Sequence, residues 1–159
     1  MLNGYSESHS IPAYGPAVLR LIVGLVFVAH GAQKLFGVWG GGGLPGTAAF
    51  FAQLGLEPSY PLAVVAATVE FGGGLLLILG AYTVVAAVAL VVQMAVAIWA
   101  VHLPHGLFLP DGYEFNLTLI AALVCLALTG PGALSIDVRR ASHAAAAAAG
   151  RARLRAGKV

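Results

Sequence analysis

The residues able to do chemistry in this chain are few, and most of them interrupt apolar runs. Glu70 lies about ten residues into a run from Tyr60 to Leu79. An ionisable group at such depth costs at least about 2.5–3.5 kcal/mol to place in a membrane, so it usually faces a protein interior and marks function. Its plainer role is a structural hydrogen bond to a neighbouring helix; otherwise a nearby cation must offset its desolvation. His30, Gln33 and Lys34 follow an i, i+3, i+4 pattern and so share one helix face. Lys34 has two roles open to it, a functional cation near Glu70 or an anchor snorkelling to the membrane interface. Gln93, nine residues before His102, comes to the depth of Glu70 if its run is helical. Trp99 fits an interfacial aromatic belt or a ligand shelf. His102 and His105 flank Pro104, and Asp111, Glu114 and Asn116 open the last apolar run. Glu114 also suits a helix N-terminus on electrostatic grounds alone. A histidine beside a buried carboxyl is suited to moving protons near neutral pH, which makes Glu70 and His30 the candidate catalytic pair. Gln33, Lys34, Gln93, Trp99, His102, His105, Glu114 and Asn116 are candidate ligand-binding groups. The irregular spacing of the histidines and acids does not form a ligand pattern, and no metal is assigned.

Four apolar runs must position these groups: Val18 to about Phe36, Tyr60 to Leu79, Thr83 to about Val101, and Asn116 to Thr129. The last is short, and Glu114 and Phe115 extend it. A Gly80-Ala81-Tyr82 turn joins the second run to the third. Between the first two lie Gly40 to Gly43, Pro45 and Gly46, then Phe50, Phe51 and Leu54 at helical spacing with Gly55 as a stop. This predicts a loop and a short interfacial helix. The expected fold is all-α, a polytopic membrane four-helix bundle with that helix in its first outer loop. Residues 1–16 form an N-terminal segment, 17–138 the membrane domain, and 139–159 a tail with an alanine run and several arginines. Leu21 to Ala29 is short enough for a signal-peptide core, but Glu7 and a single preceding basic residue favour a retained first span.

Composition agrees. Of 159 residues, 60% are hydrophobic and 9% charged, and the mean hydropathy is +0.92. Average soluble domains are about 25% charged, so a soluble fold and a disordered chain are both excluded. Cys125, the one cysteine, rules out an internal disulfide or CxxC pair and reads as a small packed hydrophobe. Arg20 near the start of the first span, with Arg139, Arg140, Arg151, Arg153, Arg155 and Lys158 after the last, outweighs Lys34 on the other side. Both termini are therefore expected in the cytoplasm. The basic tail is expected to meet anionic lipid heads and not nucleic acid. The candidate residues then fall in the outer half of the bundle, with Glu70 and Gln93 beneath the rest. The inner half is expected to contribute almost nothing polar to the core.

In these residues the sequence resembles the DoxX family of small bacterial membrane proteins. The resemblance runs through Leu19-Arg20, Gly24, the stretch His30 to Gly37, then Phe50, Phe51 and Leu54-Gly55-Leu56. It continues with Glu70 to Gly74, Leu79-Gly80, His102, His105, Gly112 to Leu117, Gly130-Pro131-Gly132 and Ser135-Ile136-Asp137. It covers residues 17–138 and implies a four-helix bundle in the bacterial inner membrane. Family members are associated with thiosulfate:quinone oxidoreductase and with oxidative-stress complexes containing soluble redox enzymes. The chain itself shows no flavin, haem or cysteine motif, so no autonomous enzyme activity is implied.

Three functions are open at this level. One is a redox-associated subunit, part of a membrane oxidoreductase complex, that binds a quinone-like or other small amphipathic ligand, with quinone or lipid as the non-covalent cofactor. Another is a non-catalytic scaffold recruiting soluble redox enzymes. The third is transport of a small solute or protons by a homo-oligomer. Membrane lipids are partners in all three.

Overall fold

The computed structural model describes residues 14–156, all of whose regular elements are helical. Helix α1 runs Tyr14–Phe36, α2 Gly43–Gln53, α3 Ser59–Leu79, α4 Thr83–Ala97, α5 Glu114–Thr129 and α6 Ile136–Ala156. Residues 1–13 of the expected N-terminal segment and residues 157–159 of the tail lie outside the described residues. Three helical stretches, Tyr14–Phe36, Ser59–Leu79 and Thr83–His105, are long and apolar enough to cross a membrane. With 16 residues, α5 is about 24 Å long, shorter than a hydrocarbon core of about 30 Å.

Local chemistry sets the helix limits. Pro16 occupies the first turn of α1, where its missing N–H has no intrahelical partner to lose. Gly37 stops the helix at a φ of 71°. α3 ends in a Schellman turn: Gly80, at φ 62°, donates its N–H to Leu77 O at 3.0 Å, and Ala81 donates to Leu76 O at 3.0 Å. The expected loop helix is α2, which packs on α3 and is followed by Gly55 at φ 72°.

α1 lies closely along α3 because both present glycine at the crossing. A Cβ on Gly24 would stand 2.8 Å from Gly74 O, and one on Gly31 would collide with the Phe71 backbone. Small residues allow this approach where packing must substitute for a hydrophobic drive. The shared core is Phe27 of α1, Leu77 of α3, Leu90 and Met94 of α4, and Leu123 and Leu126 of α5. Val18, Ile22, Val65, Val85, Val88 and Val92 face outward. Such an apolar exterior suits an all-α membrane protein and would be poorly tolerated in water.

Two expectations need correction, on Cys125 and on the inner half of the bundle. Cys125 is exposed on α5, because the buried stripe of that helix is Asn116, Leu119, Leu123 and Leu126 and position 125 falls beside it. The alanine-arginine tail forms helix α6 from Ile136, as alanine's high helix propensity favours. The end of the bundle where α1 begins and α3 ends is also far from apolar. There Arg20, 2% exposed, uses its whole guanidinium on backbone carbonyls. Nε donates to Pro131 O at 2.9 Å, Nη1 to Leu77 O at 3.1 Å and to Ile78 O, and Nη2 to Ala133 O and Leu134 O at 3.1 Å each. Beside it, Asp137 accepts from Tyr82 N and Thr83 N at 2.9 Å each, and from Thr83 Oγ1 at 2.9 Å. Arg20 thus serves the end of α3, where the carbonyl dipoles point, and Asp137 the start of α4, where the N–H dipoles point.

Candidate functional site

At the opposite end lies an open cavity of about 1040 Å³ bordered by α1 to α5. Its walls are mainly apolar, and its polar groups gather around Glu70. Glu70 and Ala67 share the buried face of α3; one turn beyond Glu70, Gly73 and Gly74 admit α4 and α1. The Glu70 side chain is 4% exposed, and its Oε2 accepts from Lys34 Nζ at 2.5 Å. Oε1 accepts from Gln93 Nε2 at 2.9 Å, and the same amide nitrogen donates to Ala66 O at 3.0 Å. One carboxylate therefore joins α1, α3 and α4. Lys34 reaches inward to Glu70 and not out to an interface, yet its side chain remains 29% exposed. An ammonium has three protons, so Lys34 retains donors beyond its bond to Glu70.

His30 lines the cavity four residues before Lys34, with its ring 6.3 Å from that of Phe115. Asn116 is buried and also lines it, its Nδ2 3.5 Å from Met94 Sδ. That thioether is a weak acceptor, so the amide keeps most of its bonding capacity. His102 borders the cavity near its loop end, where Nδ1 lies 2.8 Å from Asp111 O. A carbonyl can only accept, which places a proton on Nδ1.

Helix α4 changes form along this wall. After Ala97 the chain makes a π turn over Ile98–His102 and a tight turn over Leu103–His105. Such wide turns inside helices often mark sites because they re-aim the side chains beyond them. Here Ala100, Val101 and His102 border the cavity.

His30, Lys34, Glu70, Gln93, His102 and Asn116 are therefore brought together at one cavity. The other candidates lie elsewhere. Gln33 donates from Nε2 to Trp39 O at 3.3 Å and fixes the loop after α1. Glu114 accepts from Leu109 N at 2.9 Å and fixes the loop before α5. Trp99 is 68% exposed, and His105 is exposed; neither borders the cavity. Among the described residues, no three of His, Cys, Asp and Glu gather closely enough to hold a metal. Sequence reasoning missed Thr47, whose hydroxyl donates to Gly43 O at 2.8 Å. It also missed Phe50 and Phe51 as cavity walls, although their helical spacing was visible.

Lys34, Gln93 and Asn116 thus place hydrogen-bonding groups at a cavity whose other walls are mainly apolar. Comparison with known proteins is in keeping with a membrane setting. The chain is 35% identical over 123 residues to "Putative oxidoreductase CatD" of Bacillus subtilis, covering 77% of this chain and 84% of that protein. It is 33% identical over 142 residues to a membrane protein of Mycobacterium tuberculosis, covering 82% and 84%. With the inner membrane protein YphA of Escherichia coli it shares 29% identity over 128 residues, covering 77% and 87%. No solved structure matches. The DoxX family profile matches residues 15–103, from the start of α1 to the π turn and including Lys34, Glu70 and Gln93, and this chain is a membrane protein of the DoxX family.

Proposed function

We propose that this chain is a redox-associated subunit of the bacterial inner membrane that holds a quinone-like or similarly small amphipathic ligand in the cavity around Glu70. The observation that carries this reading is the Lys34–Glu70–Gln93 cluster at an otherwise apolar cavity of about 1040 Å³. That volume is at the upper end of the usual range for small-molecule sites, about 300–1,000 Å³. Lys34 and Asn116 would donate to a carbonyl or hydroxyl head. His30 and Glu70 would exchange the protons that accompany reduction or oxidation of such a head. Electrons would come from, or pass to, a soluble redox enzyme acting as partner. On this reading both termini face the cytoplasm, with the arginines of α6 on that side, and the cavity lies toward the outer leaflet.

The test is direct. Purify the full chain in mild detergent, identify co-purifying small molecules by mass spectrometry, and titrate quinone analogues while recording the melting temperature. A retained amphiphile or a saturable rise in melting temperature supports the reading. Its failure is the absence of any ligand together with a melting temperature that no analogue moves.

Helix α6 favours a second reading, a scaffold for soluble redox enzymes. It is 21 residues long and its described side chains from Val138 onward are exposed, Arg139, Arg140 and Arg151 among them. If docking is the whole function, removing residues 139–159 abolishes the activity of the complex and Glu70→Gln leaves it intact. If the cavity is the working site, the opposite pattern is expected.

A further inference from the structure

We infer that the cavity fills from the side, through a mouth between α3 and α4, and that its occupant is an amphiphile with an uncharged hydrogen-bonding head and an apolar tail. This rests on the proposed reading of the cavity as a ligand site. On α3, Leu62, Val65, Ala66 and Val69 border the space, and their i, i+3, i+4, i+7 spacing makes one continuous helix face. Opposite them, Ala89, Val92 and Val96 of α4, at i, i+3, i+7, border it too, continued by Ala100 of the π turn.

Two helix faces that packed fully would interdigitate at these positions and be buried. Val65 and Val92 instead border the cavity and remain 59% and 58% exposed. Cavity-lining side chains left this open stand where the two helices do not close on each other. Nearer the Gly80 turn the same helices do close, because a Cβ on Gly73 would come 3.1 Å from Leu90 Cγ. The gap thus opens beyond Gly73 toward the loop end. At that end Gly42, Gly46 and Phe50 of the first loop and α2, and Pro110, also border the space. An entrance edged by valines and facing the apolar exterior favours molecules already dissolved in the bilayer.

Charge selects the head. Lys34 and Glu70 neutralise one another at 2.5 Å. A charged head would have to break that pair or remain unpaired in a place of low dielectric. A carbonyl or hydroxyl can instead accept a remaining Lys34 proton and leave the pair whole. From Glu70 to Leu62 is eight residues, about 12 Å along α3, and this is the path available to a tail. A quinone with an apolar tail and a neutral lipid share the required chemistry.

The experiment uses the full chain in phospholipid nanodiscs with four probes: a decyl-tailed benzoquinone, the same quinone without its tail, decanol, and decanoate. The variants are Val65→Trp and Val92→Trp at the mouth, with Val85→Trp, exposed and away from the cavity lining, as control. The tailed quinone should bind more than about tenfold tighter than the bare head, which the burial of two methylenes already supplies. Either mouth variant should slow its association about tenfold relative to Val85→Trp, with melting temperatures matching the control. Decanoate should bind more weakly than decanol. Native mass spectrometry of the purified protein then shows whether the natural occupant is a quinone or a neutral lipid.

Equal binding of tailed and bare heads, or association rates unchanged in both mouth variants, overturns lateral entry. Tighter binding of decanoate overturns the uncharged head. If no probe binds the unaltered chain and nothing co-purifies, the ligand reading itself has failed, which is a separate result.

Discussion

Removing Lys34 should harm the protein more than removing its partner. Lys34→Met keeps the length of the side chain and deletes the cation, leaving the Glu70 carboxylate 4% exposed. Breaking a buried pair from one side costs about 3–5 kcal/mol, because a charge stays behind without its partner. Gln93 Nε2 remains 2.9 Å from Oε1, which holds the expected loss near the lower limit, about 3 kcal/mol. Glu70→Gln leaves a cation that is 29% exposed on a flexible stem, able to turn toward water or lipid heads, and should cost about 1 kcal/mol. The double variant carries neither charge and should be more stable than Lys34→Met alone, with a coupling energy of about 2 kcal/mol. Reversible unfolding in mixed detergent micelles, followed by tryptophan fluorescence, measures all four proteins. Two results refute the reasoning: Lys34→Met no worse than Glu70→Gln, or effects that add to within about 0.5 kcal/mol.

Other expectations follow from the same geometry. Arg20→Lys keeps the charge but offers three donors where five carbonyls now accept, so unfolding free energy should fall by about 2–4 kcal/mol as two acceptors lose partners. At the helix crossing, Gly24→Val should prevent α1 from seating on α3 and cost at least about 1–3 kcal/mol, whereas Gly72→Ala, with open space around its Cβ position, should be neutral or slightly stabilising in the same unfolding assay. Burial alone would raise the Asp137 carboxyl, but the bonds from Thr83 and Tyr82 and the nearby Arg140 outweigh it and hold the group below its ordinary 3.8. A carboxylate lowered by folding adds stability that is complete above its unfolded value and is lost as pH falls through the folded one. Melting temperature should therefore fall more steeply below about pH 4 in the unaltered protein than in Asp137→Asn.

The sequence made the helices legible because apolar runs near 20 residues leave few alternatives, and the glycines at 37, 55 and 80 mark where helices stop. The depth of the site was legible by counting: residues 30 to 34 on a rising helix and residue 70 on a descending one meet at similar heights. What counting did not resolve was direction. Lys34 could reach inward or outward, and only the packing of α1 on α3 decides. Trp99 left the site because expectation carried a regular helix to about Val101, whereas the chain turns to a π form from Ile98; His105, expected in the loop, lies in an exposed tight turn beyond it. Arg20 was read as a flanking charge since its partners are backbone carbonyls 57 to 114 residues away, and carbonyls have no residue signature. A lone arginine followed by an uninterrupted apolar run was the available signal, and an intramembrane charge needs a named partner.

The two ends of the bundle are built on opposite principles. Where α1 begins, Arg20 bonds carbonyls of the α3 end and of the segment before α6, while Asp137 holds the start of α4. Those bonds connect four helices through backbone atoms, which leaves little freedom for one helix to shift without losing several bonds together. At the cavity end, α3 and α4 are joined across the cavity by the side-chain amide of Gln93 and by the carboxylate it shares with Lys34. Side-chain bonds of this kind exchange partners at lower cost than a buried guanidinium with five acceptors. A ligand head that accepts from Lys34 or Gln93 therefore competes with contacts that also set the spacing of α1, α3 and α4. Binding and helix spacing are then linked, and the linkage is reciprocal: variants that loosen the Gln93 bridge should alter ligand affinity, and ligand should stabilise the cavity end more than the Arg20 end. Hydrogen exchange with and without ligand distinguishes this from uniform stabilisation, since only local linkage protects the amides around Ala66 and Gln93 while leaving those around Leu77 unchanged.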